Sequence, residues 1–153
     1  MDRFPFTKRE WKAVRAAASA VAEASGPSQR SVRFAELKAA LEALKGTYGD
    51  HPVLLETEAD FTPEPASAAK LYRAAELYAA ANELPTLTIR LSLARVLVEE
   101  LNQPREARAA LLACRDELPD ASVADCGAWT TLLSECDRKS QARPDKPTKP
   151  RRS

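Results

Sequence analysis

Apolar residues recur along this chain at steps of three and four, and each run stops at a Gly or Pro. That pattern restricts the fold more than any other feature, because a period near 3.6 places each apolar set on one helical face. Much of the apolar content is Ala, the strongest helix former. The hydrophobic fraction is 44%, with 29% charged residues and only 4 Gly. An all-α chain of about seven helices is the expectation.

Thr7 and Glu10 have the spacing of a capping box, and Trp11, Val14, Ala18 and Val21 follow at helical intervals until Gly26-Pro27. Ser31 is placed to cap a second helix with Phe34, Leu37, Leu41, Leu44 and Tyr48 on one stripe, closed by Gly49. Asp50-His51-Pro52 restarts a short helix through Ala59, with Asp50 placed to cap it, and Thr62 to Pro65 breaks it. Ser67 is the expected cap of a longer helix reaching residues 82–84. Pro85 opens the most apolar segment, with Leu87, Leu91, Ala94, Val98 and Leu101 on one stripe. Ile89, Leu93, Val96 and Leu97 make a second, so this helix is read as central. At Asn102 a left-handed cap is expected, and Pro104 begins the next helix, with Ala107, Leu111, Cys114 and Leu118. The last helix starts at Ser122 and carries Cys126, Trp129, Leu133 and Cys136.

Residues 1–140 read as one helical domain. Residues 141–153 contain three Pro and no aliphatic residue larger than Ala, which predicts a disordered basic tail. From Arg138 onward seven basic residues stand against one acid, Asp145, leaving residues 1–137 at −5 within an overall charge of +1.

Two segments repeat one form. Ala68-Ala-Lys-Leu-Tyr72-Arg-Ala-Ala75 and Ala107-Arg-Ala-Ala-Leu111-Leu-Ala-Cys114 share Ala-x3-large-x2-small, 39 residues apart. This form resembles the second helix of a tetratricopeptide repeat. Leu93-Ala94-x2-Leu97 is similar to the first-helix signature, and Leu101 to Ala107 to the hairpin connection. The 39-residue period departs from the family's period of about 34, and Glu56 falls where a small residue belongs. The resemblance covers about residues 50–118. It implies stacked antiparallel hairpins in a right-handed superhelix, and a groove that receives a peptide or helix of a partner protein. By that geometry Thr88, Leu91, Arg95 and Val98 face the groove. Leu91 and Val98 are equally suited to the core, and Arg95 is equally placed to pair with Glu99 one turn on.

The chemistry of a catalyst is not legible. His51 is the sole histidine and reads as part of a helix start, and no nucleophile motif accompanies it. Cys114, Cys126 and Cys136 are odd in number, lack C-x2-C spacing and read as reduced thiols. The acids Glu56, Glu58, Asp60 and Glu64 lack the Gly of a calcium loop. No metal, cofactor or catalytic residue is therefore expected. No apolar run reaches the roughly 18 residues of a membrane span, so a cytoplasmic protein without membrane contacts is expected. The leading functional expectation is an adaptor-like protein-binding module whose partner is another protein or a second copy of itself. The alternative is a nucleic-acid-associated helical protein, in which Lys146, Lys149, Arg151 and Arg152 contact phosphates. Trp11 and Trp129 are expected to fill the ends of the helical stack.

Overall fold

The computed structural model describes residues 1–142, which fold into helices joined by short turns, with no strand among the described residues. The basic tail expected over 141–153 lies outside them from Arg143 onward; its first two residues complete the last helix. The described chain forms two compact units, which divide between Leu84 and Pro85.

The first unit contains α1 (Lys8–Ala22), α2 (Gly26–Tyr48), α3 (Pro52–Phe61) and α4 (Pro65–Ala81). Helix α1 packs on α2, α2 on α3, and α3 on α4. The predicted capping box opens α1: Thr7 Oγ1 accepts from the Glu10 amide at 3.1 Å, and Glu10 Oε1 accepts from the Thr7 amide at 2.9 Å. Gly26-Pro27 was expected to close α1, but it opens α2. The proline lies in the first turn, where its missing N–H costs nothing, so the helix starts five residues ahead of Ser31. Gly49 terminates α2 at φ 75 and ψ −165, a backbone region essentially closed to side-chain-bearing residues. The apolar stripe then packs as expected: Val14, Val21, Leu37, Leu41, Leu44 and Leu54 are buried with Phe6.

Two caps in this unit differ from the sequence reading. His51, not Asp50, caps α3, through Nδ1 accepting from the Val53 amide at 3.1 Å. Glu64, not Ser67, caps α4: its carboxylate takes the Ser67 amide at 2.8 Å and the Ser67 hydroxyl at 2.9 Å. A carboxylate at this end also suits the helix dipole, so it outcompetes the hydroxyl three residues on.

The second unit contains α5 (Leu87–Arg95), α6 (Pro104–Ala113) and α7 (Val123–Ala142). Helix α5 packs on α6 and α7, and α6 on α7. A π turn, Val96–Glu100, extends α5, and the chain leaves it through Asn102 at φ 55, the left-handed cap anticipated there. Helix α6 ends sooner than its apolar pattern suggests. A 3-10 segment, Arg115–Asp120, replaces its last turns, because Pro119 cannot donate within an α-helical ladder. On α7, Leu132 occupies the core position assigned to Leu133, giving Trp129, Leu132 and Cys136 as the buried edge. Trp129 Nε1 donates to the Leu111 carbonyl at 2.8 Å, so its polar end is satisfied on burial.

Candidate functional site

The four residues placed on a groove divide by burial. Thr88 and Arg95 are exposed, whereas Leu91 and Val98 are 5% and 0% exposed and belong to the core. All four lie along α5 and its π turn, two helical turns from first to third. The helix is nearly enclosed, since Leu87, Ile89, Leu93 and Ala94 are also buried.

Helix α5 is held at its start by a residue distant in sequence. Glu117, in the 3-10 segment, accepts from the Thr86 amide at 3.0 Å, the Leu87 amide at 2.9 Å and the Thr86 hydroxyl at 2.6 Å. Arg90 donates to Thr86 Oγ1 at 2.9 Å and to the Ala113 carbonyl at 3.1 Å, joining this cap to the end of α6. Nothing in the local sequence signals this arrangement, because its two halves are 31 residues apart.

Arg95 lies at the entrance to the π turn. The Leu101 amide reaches the Val96 carbonyl at 3.0 Å, a five-residue step, and the Gln103 amide reaches Leu97 at 2.7 Å. Arg95 forms no ion pair with Glu99 or with any other described residue, and the intrahelical pair considered from spacing is not made. The Val98 carbonyl instead accepts from Lys139 Nζ of α7 at 3.0 Å.

The remaining reactive groups have structural partners. His51 is 1% exposed, with Nε2 against the Asp2 carbonyl at 2.8 Å and Nδ1 accepting from Val53. Those two contacts select the tautomer with hydrogen on Nε2. The three cysteines are free thiols. Burial pushes Cys114 up to about 11, far from a nucleophile's range, and burial also raises Cys136. Glu58 pairs with Lys45 at 3.1 Å, Asp60 accepts from the Tyr72 hydroxyl, and Glu64 caps α4, so the acidic run is spent on structure. Among the described residues no group of three His, Cys, Asp or Glu could hold a metal ion. Trp129 is buried beneath the Arg115 guanidinium, 5.9 Å from its ring, while Trp11 is half-buried against Phe4 and Phe6.

No family model, curated protein or solved structure matches this chain. No helix among the described residues is long and apolar enough to cross a membrane.

Proposed function

We propose that the chain is a non-enzymatic interaction module that binds a segment of another protein along the exposed edge of α5. The observation behind this reading is Arg95, an exposed guanidinium that pairs with no described residue, on a helix whose apolar residues are all buried. No described residue forms an ion pair with it, which leaves its donor fork free for a carboxylate. Thr88, two turns earlier on α5, supplies a hydroxyl beside the same edge. Leu91 and Val98 support this edge from beneath and do not touch the partner. The repeat-like residues over 50–118 agree with such a role, as do a histidine and a Cys114 thiol engaged in structure.

The test compares proteins retained from native lysate by the full chain and by its Arg95→Glu variant, after both show the same thermal melt. A specific partner lost on charge reversal, and retained by Arg95→Lys at reduced strength, is the expected result. A partner bound equally by all three forms would remove α5 from the interface. Retention of nucleic acid by the parent, abolished when residues 141–153 are deleted, would instead support the alternative function of the tail.

A further inference from the structure

The first unit separates its charge by position. Residues 1–48 carry nine basic and five acidic residues, whereas 49–84 carry two basic and seven acidic. The acidic half is largely engaged internally, through Glu58 on Lys45, Asp60 on Tyr72 and Glu64 at its cap. In the basic half Arg33 and Lys45 are paired, but the cations of α1 are not. Lys8, Arg9, Lys12 and Arg15 are exposed and form no ion pair with any described residue.

Lys8, Lys12 and Arg15 follow steps of four and three, so they share one outward stripe of α1 with Arg9 flanking it. Glu10, the one acid in this stretch, turns away to Thr7 and to the Tyr48 hydroxyl at 2.7 Å. Lys8 and Arg9, in the first turn of α1, oppose the helix dipole, and Glu23 stands at the opposite end, also unfavourably. These side chains therefore do not stabilise α1. An exposed aromatic ring lies beside them. Phe4 is 47% exposed and meets the edge of Trp11 at 5.2 Å between centroids. Trp11 lies one turn from both Lys8 and Arg15, which places Phe4 at the margin of the basic stripe.

We infer that this face of α1 docks peripherally on an anionic lipid surface, with the four cations against acidic headgroups and Phe4 entering the headgroup boundary. Cations combined with an exposed apolar side chain are the two elements that reversible membrane attachment requires. A nucleic acid would also satisfy the cations, but binding a strand stacks successive bases on several exposed rings, and among the described residues Phe4 is the one exposed ring beside the stripe. The inference replaces the expectation of no membrane contact, which rested on the lack of a spanning segment. Peripheral docking needs none.

The experiment is flotation of the full chain with phosphatidylcholine vesicles, with and without phosphatidylserine, beside a Lys8→Gln/Lys12→Gln variant and a Lys8→Arg/Lys12→Arg variant. Because every form keeps residues 143–153, differences among them belong to α1. Binding should require phosphatidylserine, weaken with salt, fall roughly ten- to thirtyfold in the Gln variant, and persist in the Arg variant. The Gln variant should also melt no lower than the parent, since Lys8 opposes the dipole and Lys12 pairs with no described residue. Equal affinity of parent and Gln variant for acidic vesicles overturns the inference. So does binding to a DNA duplex or single-stranded RNA with no binding to vesicles, which would assign the stripe to nucleic acid.

Discussion

At the scale of single residues, Glu83 and Cys114 show how local geometry sets properties that composition does not. Helix α4 ends in a Schellman motif: the Leu84 amide reaches the Ala79 carbonyl at 2.8 Å and the Glu83 amide reaches Ala80 at 3.2 Å. The motif needs a left-handed residue, and Glu83 occupies that place at φ 56. A side chain there costs ~1–2 kcal/mol, of which glycine's greater freedom in the unfolded chain returns ~0.5–1. Glu83→Gly should therefore raise the melting temperature by about 2 to 4 °C, whereas Glu83→Ala, which keeps a Cβ, should leave it unchanged. Calorimetry on the two variants decides this. Asn102, which fills the equivalent place after the π turn, was legible because Asn tolerates that region; Glu83 was not, because Glu carries no such signal. Cys114 gives a second expectation. Its thiol, buried and pushed up to about 11, should resist iodoacetamide in the folded protein, while half-buried Cys126 reacts first. Mass spectrometry of briefly alkylated protein would reveal the order, and early modification of Cys114 would contradict it.

At the scale of elements, the helices were legible and their ends only partly so. Periodicity located each of α1 to α7, because it reports burial of a face. Caps depend on competition among nearby acceptors, so Glu64 displaced Ser67 and His51 displaced Asp50. The Glu117 cap on α5 spans 31 residues and leaves no local pattern. Glu117→Ala would orphan two amides and a hydroxyl, at a cost of about 2 kcal/mol. Glu117→Gln, which keeps one acceptor, should recover part of that in a denaturant titration. The acidic caps add a pH dependence. The Thr7 amide and the Tyr48 hydroxyl hold Glu10 below its ordinary 4.5, and hydrogen bonds from Ser67 do the same for Glu64. A lowered folded value means that protons bind the unfolded chain first. The caps' contribution is thus complete above the ordinary value and is lost as pH falls through the folded one. Replacing both acids by Gln should flatten the decline in melting temperature as pH falls below the ordinary glutamate value of 4.5. An unchanged acid limb would show that other carboxylates control it.

At the scale of the whole molecule, the repeat resemblance and the division into units follow different boundaries. The two matching segments, Ala68–Ala75 and Ala107–Cys114, fall in different units, one in α4 and the other in α6 and its cap. Sequence self-similarity reports what a helix needs for close packing, namely small residues opposite large ones. It does not report which helices share a core, and that depends on contacts between segments far apart in the chain. The core of the first unit is self-contained by this measure: Phe6, Val14, Val21, Leu37, Leu41, Leu44 and Leu54 cluster together and all precede Pro85. Lys45 fastens α2 to α3 through Glu58 at 3.1 Å, and His51 ties the leading segment down through Asp2. A segment of this length carrying its own core is large enough to fold alone. Residues 1–84 expressed separately should therefore keep a helical circular dichroism spectrum and unfold in one cooperative transition. Leu41→Ala in that fragment, which opens a cavity at a fully buried position, should lower its stability by about 2 to 5 kcal/mol. A fragment that melts without cooperativity would mean that the cluster around Leu41 is insufficient and that folding requires the chain beyond Leu84.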